Sequence, residues 1–373
     1  MAILSMVIFI CLLVYLQRLI YKKYWDRGLS LRLAFSAKEA WEGETLTLTE
    51  ELTNAKPLPL PWVTAKFQLS RSLKFLAGES FKVSDDYYQH DLFRVNMYQR
   101  VTRKLPFVCG RRGYYRIKSM DVGSSDILAS TKLVKRLQST AELTVLPKLI
   151  PAPEIEILTQ QIQGDVEVRR FTNPDPFQFR GIREYFPRDD FRHINFKASA
   201  RTGSLMVNQY GETATQELII LLNLETYADW EREEVYEEAI RIAASVAGYF
   251  SGLGVAVGLR CTGKDIATDS PAMILPGSGA RHFHGVLEQL ARIDLSLEPE
   301  KMAPYLENLR QPEPVYLLIS PHHGKDITQA YEKAREQGLS IRWILPALKE
   351  TKLRLPEGIE ITRWDVDPSD YVL

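Results

Sequence analysis

The chain of 373 residues has only three cysteines, Cys11, Cys109 and Cys261, set far apart. That count excludes a disulfide framework or a cysteine-based zinc site and suits a reducing compartment. Net charge is missing as well, since 47 basic residues balance 47 acidic ones. A nucleic-acid-binding domain normally leaves a basic footprint, so there is no general electrostatic drive toward DNA or RNA. Neither a G-x-S-x-G elbow nor an H-E-x-x-H helix occurs, which removes the usual hydrolase signatures. Gly258 to Asp265 comes near a phosphate-binding loop, but Asp265 stands where a hydroxyl should hold magnesium, and the first glycine falls inside an expected strand. Pro276-Gly277-Ser278-Gly279, between an expected strand and helix, has the composition of a tight turn.

Long apolar runs are scarce, and one is present. Ala2 to Leu16 carries no charge, and Leu19, Ile20 and Tyr21 extend the run past Gln17 and Arg18. About 20 residues cross a bilayer, and an arginine near the end can reach back to the headgroups. A cleaved signal peptide would want basic residues before the run and a small-residue cleavage site after it. Instead Arg18, Lys22, Lys23 and Arg27 follow it, with Tyr21, Tyr24 and Trp25 as an expected interfacial belt. Residues 1–27 are therefore expected to be a single-pass anchor with 2–21 in lipid, and the trailing positive charge places the bulk of the chain on the cytoplasmic side.

Residues 28–150 alternate polar and apolar in short segments such as LRLAF, TLTLTEEL and AELTVLP, broken by turn signals at Glu42-Gly43, Asn54 and Pro57 to Pro61. This pattern predicts an antiparallel, Ig-like β-sandwich. Pro147, Pro151 and Pro153 predict a linker, which opens a segment from 151 to 210. From 211 to 373, apolar strands (ELIILLNL, VAVGLRC, VYLLIS) alternate with amphipathic helices, around Glu233–Tyr249 and Ile327–Gln337 among others. That order predicts a parallel sheet covered on both faces, a three-layer α/β domain. The whole is an α+β multidomain chain.

Between Arg169 and Arg201 lie eight Arg or Lys and four Asp or Glu, interleaved with Phe177, Phe179, Ile182, Tyr185, Phe186, Phe191, Ile194 and Phe196. Such density predicts partly buried ion pairs. Asp189 or Asp190 would cap one short helix running through Arg201, with Phe191, Ile194 and Ala198 facing inward. Two readings follow. In one, Arg183, Arg192 and Lys197 pair with Glu184, Asp189 and Asp190 as a staple between domains. In the other, Arg183, Tyr185, Asp189, Asp190, Arg192, Asn195, Lys197 and Arg201 form a partner- or anion-binding surface. Acid–base chemistry at Asp189 and Asp190, or nucleic-acid binding by the basic and aromatic groups, is the alternative class.

The order R-E-Y-x-P-x-D-D-x-R-x-I-N-x-K-A-S-A-R-T-G, from Arg183 to Gly203, resembles the signature of the bacterial family catalogued as domain of unknown function 58. Departures are Arg188 for the usual glycine, Phe191 for proline and Phe196 for tryptophan. Arg111 to Leu128 is similar to the family's Gly-aromatic strand leading to an Asp-containing turn. The resemblance implies a bacterial membrane-anchored scaffold that works with a MoxR-type AAA+ ATPase, and sometimes with other membrane proteins, without a cofactor. The C-terminal region resembles a von Willebrand factor A-like domain, many of which bind magnesium through D-x-S-x-S. Here Asn223, Glu225 and Tyr227 occupy the matching positions, a degenerate set from which no metal is expected. His282, His284, His322 and His323 are all expected just after strands, where with Glu225 they would offer zinc-type ligands without diagnostic spacing. Exposed loop histidines are the simpler account.

Overall fold

In Thr45–Asn54 every second side chain is buried, from Leu46 and Leu48 to Leu52 and Asn54. A strand's side chains alternate between faces, so this pattern turns one face to a core. Repeated along the first part of the chain, it builds a β-sandwich in the computed structural model. The structure describes residues 2–76, 81–83, 87–172, 175–187, 189–211, 216–226, 233–311, 314–351 and 359–371. The chain divides into two units, one ending at Lys148 and the other beginning at Leu149.

One sheet of the first unit carries, in spatial order, Leu29–Phe35, Thr45–Asn54, Arg100–Cys109 and Leu73–Phe75. A second carries Lys132–Gln138, Ser119–Ser125, Leu60–Leu69, Tyr87–Val95 and Phe81–Val83. A third joins Glu39–Trp41, Glu142–Leu146 and Gly113–Arg116, the first two of these running parallel. Leu48, Leu52, Leu60, Leu73, Phe107 and Leu143 are fully buried in the core.

Ala2–Tyr24 is helical, and its stretch Ile3–Tyr24, with mean hydropathy 2.4, is long and apolar enough to cross a membrane. Its last turns do not stand free. Val14 and Gln17 are half-buried, and Tyr21 and Trp25, one turn apart, are buried in the sandwich core. Tyr21 and Trp25 therefore are not the lipid-facing belt the composition suggested, and of the three aromatics only Tyr24 is exposed. The Tyr21 hydroxyl donates to the Pro59 carbonyl at 2.7 Å, and the Lys56 ammonium donates to the Trp25 carbonyl at 2.7 Å. Burial pulls the Lys56 amine down to about 8.

Of the three prolines expected to mark a linker, Pro147 lies in the irregular stretch after strand Glu142–Leu146, while Pro151 and Pro153 stand at the start of a helix of the second unit, Ala152–Thr172. Proline is tolerated in a first helical turn, where its missing N–H has no intrahelical partner to lose. Ile155, Leu158, Ile162 and Val166 give the helix a buried stripe. Arg342 holds it to the sheet through both Asp165 oxygens, at 2.6 and 3.1 Å.

The sheet of this unit runs Pro271–Gly277, Ala256–Asp265, Glu217–Leu222, Val315–Ile319, Ile341–Leu348 and Thr362–Val366. The strands from Ala256–Asp265 onward in that order are mutually parallel, and Val315–Ile319 is buried throughout. The Pro271–Gly277 edge is antiparallel, which departs from an all-parallel expectation. Leu221, Tyr316, Leu318, Ile341, Trp343 and Leu345 pack with the helices Ala303–Glu307 and Lys325–Glu336. The helix Glu233–Gly252 also lies on the sheet and is buried along most of its length. Its Glu238 receives the Trp364 indole N–H at 2.9 Å, Arg241 at 3.0 Å and the Tyr371 hydroxyl, clamping the last strand and the turn after it.

Candidate functional site

Strands Asp175–Glu184 and Met206–Gly211 form a two-stranded hairpin, and the residues between them make a small module. Arg183 grips Asp189 with both guanidinium nitrogens, each at 2.6 Å, while the Phe186 N–H donates to the same carboxylate at 2.8 Å. The Arg183 bond and then the Phe186 N–H hold the Asp189 carboxyl at about 2. Arg183 also lies over the Phe186 ring, 5.4 Å from its centre, and Tyr185 stacks on Phe191 at 5.7 Å.

The single helix expected from Asp190 to Arg201 is two pieces. Asp190 caps a 3₁₀ turn, Phe191–His193, by accepting the Arg192 N–H at 3.0 Å. Ile194 then bridges to Val207 as extended chain, and Asn195 starts a second helix, Phe196–Thr202. The Asn195 Oδ1 accepts the Ala198 N–H at 2.9 Å, its Nδ2 donates to Asn208 at 2.7 Å, and its N–H donates to the Met206 carbonyl at 2.8 Å. Ser199 adds a hydroxyl that donates to the Asn195 carbonyl and accepts the Met206 N–H, both at 2.8 Å. Gly203, at φ 74°, ends the helix in the left-handed region. Breaking the helix at Ile194 removes the expected inner face: Phe191 is exposed, and Ile194 and Ala198 are half-buried.

The staple is therefore smaller than expected. Among the described residues of the segment, only Arg183 and Asp189 make an ion pair, and their bonds close within the module. Arg192, Lys197 and Arg201 are exposed and have no ion-pair partner among the described residues. Beside them in sequence stand Phe186, Phe191 and Phe196, 60%, 71% and 75% exposed. Arg188 lies outside the described residues.

A second polar cluster lies where the parallel strands end. The Asn223 Nδ2 donates to the Ser320 hydroxyl at 3.1 Å, and its Oδ1 accepts the Thr262 hydroxyl at 3.2 Å and the Glu225 N–H at 3.1 Å. Ser320 in turn donates to the His322 carbonyl at 2.7 Å, and Glu225 accepts the Met302 N–H at 2.6 Å. All of these side chains are buried. A magnesium site of the D-x-S-x-S type does not fit here, because an amide donates where a carboxylate must bind and the hydroxyls are engaged with protein groups. Tyr227 lies outside the described residues.

The four histidines expected at this edge are split. His282 and His284 follow the antiparallel strand, so they lie at the opposite edge, where the His282 Nε2 meets the Val257 carbonyl at 2.7 Å. Only His322 and His323 follow a parallel strand at its C-terminal end. His322 joins Asp326 at 3.1 Å, and ligand-type atoms of Glu225, His322 and Asp326 lie within 4.8 Å of one another. Burial pushes the Asp326 carboxyl up, but the His322 bond and the Ile327 N–H outweigh it and hold the group below the usual range. One imidazole and two carboxylates are ligand types that zinc accepts, although each is already hydrogen-bonded.

Residues 181–342 match the family described as "Protein of unknown function DUF58". The chain carries a DUF58 domain. No curated protein matches it. Among solved structures it is similar to a CARDB domain from Pyrococcus furiosus, at 9% identity over 32% of this chain and 90% of that one, TM-score 0.21. It is also similar to a non-cellulosomal cohesin from Archaeoglobus fulgidus, at 10% identity over 31% and 91%, TM-score 0.21. A ScaB type I cohesin from Pseudobacteroides cellulosolvens shares 13% identity over 33% and 95%, TM-score 0.20. At these scores the likeness carries no argument about fold or function.

Within the DUF58 domain, the signature's polar residues sort by what they touch. Arg183, Asp189, Asp190, Asn195 and Ser199 bond inside the module through their side chains. Arg192, Lys197 and Arg201 have no ion-pair partner among the described residues. The near-phosphate-loop segment, Gly258 to Asp265, lies wholly within a strand of the DUF58 domain. Two structural groups went unnoticed in sequence, Asn195 as a helix cap and Glu238 as a buried clamp. Asn195 stands three residues before the N–H it caps, a spacing that could have identified it. For Glu238 the only local partner is Arg241, an ordinary i,i+3 pair, while Trp364 and Tyr371, which make it a clamp, lie more than a hundred residues away.

Proposed function

We propose that this protein is a membrane-anchored, cytoplasmic scaffold or adaptor that acts through protein contacts made by its DUF58 domain. The observation that carries this reading is the exposed surface of the signature module, where Arg192, Lys197 and Arg201 accompany Phe186, Phe191 and Phe196. Aromatic and arginine side chains are the types that most often anchor protein interfaces. Cations with no ion-pair partner among the described residues, set beside apolar rings, suit a partner that presents carboxylates among apolar groups. The family resemblance points to a MoxR-type AAA+ ATPase as that partner and to a von Willebrand factor A-like role for the α/β unit, here used without a magnesium site.

Acid–base catalysis is the weaker reading. The Asp189 carboxyl, held at about 2 by Arg183, is a poor proton acceptor near neutrality, and Asp190 is occupied as a cap.

The test is capture from membrane extracts by the full chain in detergent, with and without ATP and with EDTA in parallel. Recovery of an AAA+ ATPase that resists EDTA and is lost in Arg192→Ala/Lys197→Ala supports the reading. Capture of the ATPase undiminished in that variant would remove this surface from the proposal, and failure of the wild-type chain to recover any would remove the partner.

A further inference from the structure

We propose that the sandwich turn Asp126–Ser130 enters the bilayer interface beside the anchor helix, with Ile127 and Leu128 facing lipid. The inference rests on reading the first helix as a membrane span. Arg18 is the first charge after the uncharged run Ala2–Gln17, and a charged side chain within the hydrocarbon core is costly. Arg18 is therefore drawn to headgroup level. Its guanidinium does not extend freely into water. Nε donates to the Thr131 hydroxyl at 2.9 Å and Nη2 to the Ser130 carbonyl at 3.2 Å. Ser130 and Thr131 consequently share the depth of Arg18.

A second contact gives the direction. Lys135 pairs with Asp26 at 2.9 Å, just beyond the helix end. From Asp26 back to Arg18 the chain climbs about 12 Å toward the membrane at about 1.5 Å per residue. From Lys135 to Thr131 the strand covers about 13 Å at about 3.3 Å per residue. Helix and strand therefore run side by side, and the turn that precedes Thr131 continues past Arg18 toward the apolar part of the span.

The turn is built to hold its tip outward. Buried Asp126 accepts the Ser130 N–H and hydroxyl, each at 2.6 Å, and the Thr131 N–H at 2.9 Å. Ala129 sits at φ 55°, a left-handed conformation that this closed turn maintains. Ile127 and Leu128 are left 55% and 58% exposed, and Ile127 to Thr131 carries no charge until Lys132. A single exposed leucine is ordinary on a protein surface. Two adjacent apolar side chains on a rigid, uncharged tip, aimed along a membrane span, are suited to the acyl–headgroup boundary.

The experiment uses the full chain with Cys11→Ser; the two remaining thiols, Cys109 and Cys261, are buried. Single cysteines are placed by Leu12→Cys in the span, Leu128→Cys at the tip and Gln138→Cys at the far end of the hairpin. Each is labelled with an environment-sensitive nitrobenzoxadiazole dye and reconstituted into phosphatidylcholine–phosphatidylglycerol vesicles containing nitroxide lipid. The expected result is blue-shifted emission and strong quenching at positions 12 and 128, with neither at 138. Quenching at 12 but not at 128 would overturn the inserted turn and leave the anchor standing. Absence of quenching at 12 would overturn the anchor and the inserted turn with it.

Discussion

The DUF58 domain holds two polar clusters that handle their hydrogen-bonding groups in opposite ways. At the end of the parallel strands, Asn223, Thr262, Ser320 and Glu225 are buried and engage one another or nearby backbone. In the signature module, half-buried Arg183, Asp189, Asn195 and Ser199 also engage one another or nearby groups, but Arg192, Lys197 and Arg201 remain exposed beside three exposed phenylalanines. Open α/β sheets usually bind ligands at the first location. Here Asn223, Thr262, Ser320 and Glu225 commit their bonds to holding strands and loops together, whereas Arg192, Lys197 and Arg201 on the hairpin module have no ion-pair partner among the described residues. What decides between structure and recognition is whether a group's bonds are exhausted, and residue type alone does not reveal that.

The largest expected effect comes from breaking the buried cluster. Asn223→Asp removes the donor to Ser320 and places a carboxylate in a dry site, so the second unit should lose about 3 kcal/mol. Urea unfolding followed by fluorescence of buried Trp343, whose indole donates to the Ser320 carbonyl at 3.1 Å, would read it. Added magnesium should not restore the loss. Restoration would mean the edge is a latent cation site and that the contrast between the clusters is one of occupancy.

The β-strands with one buried face and the helices Glu233–Gly252 and Lys325–Glu336 could be read from periodicity, because burial on one side imposes period two or 3.6, and the parallel strands could be read as continuous apolar runs because they are buried on both faces. Edge strand Lys132–Gln138 escaped notice because it is largely exposed and lysine-rich, which protects an edge but erases the alternation. The helix Ala152–Thr172 escaped because prolines at its start look like a linker unless their place in the first turn is known. In the signature, residue types pointed to ion pairs, yet which cations pair depends on Ile194 leaving the helix to bridge Val207. The split of the histidines depends on one antiparallel strand, a topological fact with no local trace.

A smaller loss is expected within the module. Gly203→Ala forces a Cβ onto a backbone at φ 74° and should cost about 1–2 kcal/mol, confined to the helix Phe196–Thr202. Hydrogen exchange should show faster amides there and unchanged protection in the α/β sheet. Loss of protection in both would show that the module and the sheet unfold together.

Acid should act on the module more weakly still. Asp189 is held at about 2, below the ordinary carboxylate value of about 3.9, so its stabilisation is complete above the ordinary value and lost as pH falls through about 2. The Phe186 amide, which donates to Asp189 at 2.8 Å, should keep its exchange protection at pH 4 and lose it toward pH 2. Loss already at pH 4 would mean that Arg183 does not grip the carboxylate in solution.

The smallest effect on stability should accompany the clearest effect on binding. Arg192→Ala and Lys197→Ala remove exposed side chains with no ion-pair partner among the described residues, so unfolding should shift by no more than about 0.5 kcal/mol. On the proposed adaptor reading, partner capture should nevertheless fall, because the cations that would face the partner's carboxylates are removed. Arg183→Ala makes the opposite comparison: it frees Asp189 and the Phe186 N–H, so capture should fall together with protease resistance around Tyr185 to Asp190. If Arg192→Ala also opens the hairpin to protease, the exposed cations are structural after all and the distinction between the two clusters collapses. If Arg183→Ala alone lowers capture, recognition depends on the shape of the module, and its free charges are ordinary solvated surface.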